Sequence, residues 1–189
     1  MERSRFLLTG SGGQGVITMG ILLAETAAIQ SGLNAIQSQS YGPEARGGAT
    51  RCDVLISQHP ILYPKVRQAN VMVCLTQEAL NKYLPLLTPG GLLLTDAHYV
   101  KPVKRIDAEY YTLPLYDQVM DTIGKAQVFN ICVLGAIVQL TGIVAPEAIA
   151  KNLAERFAPA FHENNTKALN MGIELAKKAG KAAPRPPKQ

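Results

Sequence analysis

Short apolar runs alternate with amphipathic stretches through residue 113, and that order predicts strands separated by helices. Residues 5–9 form an apolar run that stops at a glycine cluster, as a buried strand would. A helix is expected from Gly15 or Val16 to residue 29, closed by Gly32. Its apolar positions cover nearly every side, so it is expected to be buried on more than one. Residues 33–39 then supply a second strand and complete a βαβ unit. Residues 40–48 read SYGPEARGG, where Pro43 and the Gly47-Gly48 pair predict a loop. A strand is expected over 49–57 despite the charges of Arg51 and Asp53. A turn at Gln58-His59-Pro60 leads to a short strand at 61–63. Residues 71–75 and 92–95 are continuous apolar runs, as in strands covered on both faces. Between them a helix over 77–87 is stopped by Pro89-Gly90-Gly91. Residues 109–113 predict a strand near the sheet edge. The remainder is expected to be helical, over 115–123, 128–140, 146–158 and 161–179. Pro146 suits a first helical position, and Gly142 and Gly180 suit helix ends. The sum is an α/β fold: a three-layer α/β/α Rossmann-like sandwich with a mostly parallel sheet and a helical C-terminal third. Residues 1–180 make one domain, and the basic tail 181–189 is expected to be disordered.

Composition narrows this picture. A chain of 189 residues suits one domain and buries roughly 70% of its unfolded surface, so it needs no staple. Aromatics are 6% of residues and Trp is absent, so the core must be aliphatic. The net charge is +5, much of it from Lys177, Lys178, Lys181, Arg185 and Lys188. That tail lacks interleaved aromatics, which argues against a nucleic-acid partner. Cys52, Cys74 and Cys132 lie far apart in apolar runs with no CxxC, so reduced, buried thiols are expected rather than a disulfide, zinc or iron–sulfur site. No metal ligands are assigned. The start lacks a signal-peptide core, and no apolar run is long enough to span a bilayer. A cytoplasmic protein with no membrane partner is the expectation.

Two stretches carry candidate chemistry. Gly10-Ser11-Gly12-Gly13-Gln14-Gly15 matches G-x-G-x-x-G between a strand and a helix. Glycines let the backbone turn tightly, and amides at a helix start attract phosphate. Tight helix–sheet packing is the alternative use of the same glycines. Where a nicotinamide site would need an acid to hold the ribose, the chain has Ser38, Gln39 and Ser40; where a Walker loop would need Lys and Ser/Thr, it has Val16 and Ile17. Neither NAD binding nor ATP hydrolysis fits. The second stretch holds Tyr41, Gly42, Glu44, Arg46, Gly47 and Gly48, followed by Arg51. Arg46 beside two glycines can grip a carboxylate or phosphate; pairing of Glu44 with Arg46 or Arg51 is the structural alternative. His59, His98 and His162 are isolated, Asp96 is read first as a loop or cap residue, and no nucleophile–base motif or thiamine signature occurs. Alone, the chain has no evident catalytic apparatus.

At this point a family becomes visible. GSGGQGVITMGILLAETAA, SQSYGPEARGGATRCDVLIS, LYPKV and LTQEALNKYLPLLTPGGLLLTD together resemble the gamma subunit or gamma domain of 2-oxoacid:ferredoxin oxidoreductases, the pyruvate/ketoisovalerate oxidoreductase family. The resemblance is strong from Phe6 to Asp96 and continues through the segment from Asn130 to Ala136. The SYGPEARGG block is its most specific part. SQSYGPEARGGATRCDV and YPKV are similar to the 2-oxoglutarate version.

The resemblance implies a reaction and a division of labour. A 2-oxoacid is decarboxylated on thiamine diphosphate with Mg2+. Two electrons pass through iron–sulfur clusters to ferredoxin, and the acyl group goes to coenzyme A. Thiamine sits between alpha and beta subunits, and clusters sit on beta or on a delta subunit. The gamma part packs against alpha and, in fused relatives, lies near the coenzyme A region. No cofactor is assigned to this chain itself, and the glycine turn and the loop of Arg46 are expected to border the route of coenzyme A. Other 2-oxoacids, a purely structural subunit and a free-standing nucleotide-binding module are the alternatives.

Overall fold

In the computed structural model the described residues are 4–39, 49–103 and 105–180; the loop expected at 40–48 and the tail at 181–189 lie outside them. Six strands form one sheet: β1 (Ser4–Gly10), β2 (Asn34–Gln39), β3 (Thr50–Ser57), β4 (Ala69–Cys74), β5 (Leu87–Asp96) and β6 (Ala108–Leu113). Their spatial order is β2-β3-β1-β4-β5-β6. β1, β4, β5 and β6 run parallel, while β3 is antiparallel to both of its neighbours, β1 and β2. Five strands therefore share one direction, and the sheet is mostly parallel.

The expected βαβ unit needs correction. β1 and β2 do run the same way, but β3 slots between them. Burial explains the order. β3 is buried from Cys52 to Ser57, with Cys52, Val54 and Ile56 in the larger core cluster and Leu55 in the smaller, whereas β2 reads NAIQSQ and stays partly exposed along its length. The strand that needs cover on both faces takes the interior, and the polar strand takes the edge.

Six helices follow: α1 (Val16–Glu25), α2 (Gln77–Tyr83), α3 (Leu115–Thr122), α4 (Phe129–Thr141), α5 (Pro146–Arg156) and α6 (Pro159–Gly180). Alternation along β1 divides the core. Phe6 and Leu8 face a large cluster built from α1 and α3 to α6, while Leu7 faces a smaller one with Ala79, Leu80 and Tyr83 of α2. Helices on both faces make three unequal layers. The backbones of α4 and α6 approach so closely that a side chain at Gly135 would strike the Leu169 carbonyl, and one at Gly172 the Cys132 carbonyl. α1 ends in a π-helical turn, Thr26–Gln30, where buried Asn152 donates to the Leu22 carbonyl (3.3 Å) and Thr26 Oγ1 (3.0 Å). An inserted side chain of this kind widens the helical ladder.

Two further expectations fail. Residues 61–63 form no strand. The helix from residue 77 leaves α geometry after Tyr83 through a 3₁₀ turn, Leu84–Leu86, and β5 already begins at Leu87. Pro89-Gly90-Gly91 thus lies inside β5, in a bulged start where Gly90 has φ +71° and donates to the Asp107 carbonyl at 2.9 Å. Among the described residues no helix is long and apolar enough to cross a membrane.

Candidate functional site

Leaving the carboxyl end of β1, the chain enters α1 on one face of the sheet; leaving the neighbouring β4, it enters α2 on the other. The gap between β1 and β4 is thus the point where connections diverge, the usual ligand crevice of open α/β sheets. The glycine turn sits there. Gly12 and Gly13 are exposed at its tip, and the N–H groups of Gly12, Gly13 and Gly15 meet no acceptor among the described residues. Gly15 caps α1 with φ +70°, a left-handed conformation that favours glycine.

Gln14 holds this turn from within. Its Oε1 accepts from the Ser11 N–H at 2.7 Å, and its Nε2 donates to the Leu75 carbonyl at 3.2 Å. One side chain therefore ties the loop after β1 to the loop after β4. A side chain at Gly10 would lie 2.5 Å from Gln14 Oε1, so close packing and an open amide tip coexist in the same six residues. Thr76, next to Leu75, caps α2 by accepting from the Ala79 N–H at 3.2 Å.

The second candidate stretch, with Tyr41, Gly42, Glu44, Arg46, Gly47 and Gly48, lies outside the described residues. Its flanks do not. It leaves β2 at Gln39 and returns just before Thr50, the register partner of Gly10. Both of its flanks, Gln39 and Thr50, are therefore at the same end of the sheet as the glycine turn. Arg51 binds Asp53 with Nε at 2.7 Å and Nη2 at 3.0 Å, and Nη2 also donates to the Val66 carbonyl at 2.6 Å.

Sequence reasoning named Asn130 only as part of a motif. Here it is the second residue of α4, is 6% exposed, and lies against Gly15, to whose carbonyl its Nδ2 donates at 3.4 Å. Its Oδ1 is buried with no hydrogen-bond partner. The N-termini of α1 and α4 thus converge at the turn, adding two helix dipoles of the same sign. An amide in the first turn of a helix apolar from Ile131 to Val138 was the available signal.

At α4's first residue the rim turns aromatic. Phe129 packs on Tyr116 (5.5 Å between centroids) and Tyr99 (6.2 Å), and His98 stacks on both tyrosines. Fully buried Asp96 fixes this group by accepting N–H bonds from His98 (3.0 Å), Tyr99 (3.3 Å) and Tyr116 (2.9 Å). Burial pushes its carboxyl above the ordinary range, against the pull of those donors. It caps a loop, as read from the sequence. Among the described residues no group of three His, Cys, Asp or Glu side chains converges on a metal position.

Residues 5–175 match the model of pyruvate ferredoxin/flavodoxin oxidoreductase. The chain belongs to that family. It is 39% identical to 2-oxoglutarate synthase subunit KorC of Methanocaldococcus jannaschii, over 93% of this chain and 95% of that one. The solved keto/oxoacid ferredoxin oxidoreductase gamma subunit from Geobacter sulfurreducens PCA superposes with a TM-score of 0.84 at 40% identity, covering 93% of this chain and 99% of that one. Ketoisovalerate oxidoreductase subunit VorA of Methanothermobacter marburgensis is 30% identical over 92% of this chain but only 37% of its own length. The chain is thus a gamma-type subunit of a 2-oxoacid:ferredoxin oxidoreductase, and the same unit also occurs within longer chains.

Proposed function

We propose that this subunit serves a cytoplasmic 2-oxoglutarate:ferredoxin oxidoreductase, which converts 2-oxoglutarate and coenzyme A to succinyl-CoA, CO2 and reduced ferredoxin. The likeness to 2-oxoglutarate synthase subunits along nearly the full length of both chains carries the substrate reading. Thiamine diphosphate, Mg2+ and the iron–sulfur clusters belong to the alpha, beta and delta subunits, where they supply decarboxylation and electron transfer.

This chain's own contribution is at the route of coenzyme A. The open amides of Gly12, Gly13 and Gly15, backed by the α1 and α4 dipoles, suit a diphosphate. Gly10 and Gln14 hold the turn in place. The stretch with Tyr41, Gly42, Glu44, Arg46, Gly47 and Gly48 precedes Thr50, the register partner of Gly10, and its Arg46 is the group proposed to grip a phosphate or carboxylate of the same ligand.

The test is anaerobic purification of the tagged chain from its own host, followed by assay of 2-oxoacid- and coenzyme A-dependent viologen reduction. 2-Oxoglutarate should far exceed pyruvate as substrate; the reverse order would refute the substrate assignment. Arg46→Ala should lose about 1.5–3 kcal/mol of charged hydrogen bonding, roughly 10- to 100-fold in kcat/KM for coenzyme A. An unchanged dependence on both substrates would remove Arg46 from the site.

A further inference from the structure

Thr9, Cys74 and Thr95 are level across β1, β4 and β5, so the segments leaving these strands emerge side by side. The glycine turn leaves β1. Two strands away, at about 10 Å, the segment after β5 carries His98 and Tyr99 next to the start of α3. Asn130 lies against Gly15, and the preceding residue, Phe129, packs on Tyr99 and Tyr116. Turn and rim are thereby joined on the same face of the sheet.

His98 is the most exposed ring of this rim. Its side chain is 45% exposed, and its ring lies against both Tyr99 (4.6 Å between centroids) and Tyr116 (4.8 Å), which also meet each other (5.0 Å). Nδ1 is 2.7 Å from Asp117 Oδ1 in the first turn of α3. A carboxylate only accepts, so in the neutral ring it fixes the proton on Nδ1 and leaves the Nε2 lone pair as an acceptor. Among the described residues no group bonds to Nε2. The backbone under the ring is equally fixed, because buried Asp96 accepts from the N–H groups of His98, Tyr99 and Tyr116. One hydrogen-bond acceptor is thus held in a set direction, framed by aromatic rings, beside a turn of open amides.

That combination selects a flat ring with an N–H donor on its edge, tethered to phosphate. Flat bases lie against Tyr and His rings, and an exocyclic amino group supplies the donor. An oxo group in its place would set acceptor against acceptor, which leaves a desolvated Nε2 unpaired. We infer that His98, oriented by Asp117 and flanked by Tyr99 and Tyr116, receives the adenine ring of coenzyme A, with Nε2 accepting from its amino group. His98 is then a specificity-determining residue and Asp117 a positioning residue. The inference rests on the proposed route of coenzyme A past the glycine turn and says where the base of that ligand lies.

The experiment uses the assembled complex, purified anaerobically from a host in which the tagged chain replaces the natural copy. 2-Oxoglutarate-dependent viologen reduction is titrated with coenzyme A and with its hypoxanthine analogue, at about pH 8.5, alkaline of the ordinary histidine range. Wild type should favour coenzyme A about tenfold in kcat/KM. His98→Leu should bring the ratio near one. Asp117→Asn should also lower it, since an amide can turn either its oxygen or its N–H to Nδ1 and no longer fixes the tautomer; the KM for 2-oxoglutarate and the retained subunits should not change. A protein lacking only a surface contact would not alter that ratio. Equal use of both coenzymes by wild type, or a wild-type ratio in either variant, would overturn the subsite and leave the proposed function standing. Loss of subunits from His98→Leu with the ratio unchanged would make the rim a subunit contact and also overturn it. A wild-type complex with no coenzyme A-dependent 2-oxoacid activity would overturn both.

Discussion

Gly15 is where geometry and chemistry meet most tightly, and its replacement by alanine can be worked through in numbers. Its φ of +70° is one that an L side chain adopts at a cost of about 1–2 kcal/mol. A Cβ there would also lie 2.5 Å from Asn130 Nδ2, 2.7 Å from its Cγ and 2.9 Å from its Cβ. Asn130 is buried in the first turn of α4 and has no room to swing aside, so forced overpacking adds about 1–3 kcal/mol. Gly15→Ala should therefore destabilise by about 2–5 kcal/mol. For a domain of this size that lowers Tm by about 4–20 °C. Two neighbours separate the terms. Gly13 has φ +87° with nothing within 4 Å of a Cβ, so Gly13→Ala should show the conformational part alone, about 1–2 kcal/mol. Gly12 has neither feature, and Gly12→Ala should stay within about 0.5 kcal/mol of wild type. Adding Asn130→Ala to Gly15→Ala removes the Nδ2 and Cγ contacts but keeps the 2.9 Å Cβ contact, so it should recover part of the clash and none of the backbone cost, a non-additivity readable in a urea-denaturation double-mutant cycle. Strict additivity, or a Gly15→Ala protein as stable as Gly12→Ala, would refute the account.

Three further outcomes follow from the same structure. Gly172→Ala pushes a methyl into the Cys132 carbonyl and to 2.9 Å from the Ala136 N, so α4 and α6 must separate; a loss of about 3 kcal/mol or more is expected, and an unchanged urea midpoint would contradict it. Burial raises the folded-state carboxyl of Asp96 above its ordinary 3.8, so the folded state holds that proton to higher pH than the unfolded state; its contribution to stability should fall as pH climbs from 3.8 through the raised value and then level off. Asp96→Asn should abolish that slope in pH-dependent unfolding, beside a constant loss of about 1–3 kcal/mol where the Tyr116 N–H loses its acceptor, and a slope equal to wild type would show that Asp96 is not its source. The thiols of Cys52, Cys74 and Cys132 are buried and pushed up to about 11, 12 and 12, so none should react with a disulfide reagent at neutral pH until the protein unfolds; stoichiometric labelling of the native chain would contradict the packing.

Much of this was legible from residue order alone. The apolar runs of β1, β4 and β5 announce strands buried on both faces, because no other short element hides a continuous run, and the G-x-G-x-x-G spacing places a turn before a helix wherever the chain goes next. The missing acid after β2 and the missing Lys after Gly15 exclude NAD and Walker chemistry without any coordinates, because those ligands demand specific groups at fixed offsets. The family blocks, above all SYGPEARGG, fix the lineage in the same way.

Tertiary structure decided what depends on neighbours remote in sequence. The insertion of β3 between β1 and β2 follows from a competition for the covered interior of the sheet, in which the polar NAIQSQ loses to CDVLIS; a local pattern describes each strand but not their rivalry. Gln14 reaching Leu75, Asn130 meeting Gly15, and Asn152 reaching Thr26 each join residues far apart along the chain. Hydrophobic periodicity is a property of one segment and can be read from it. A hydrogen-bond partner, a close glycine contact or the direction in which an exposed side chain is held is a property of two segments, and it exists only after the sheet has brought them together.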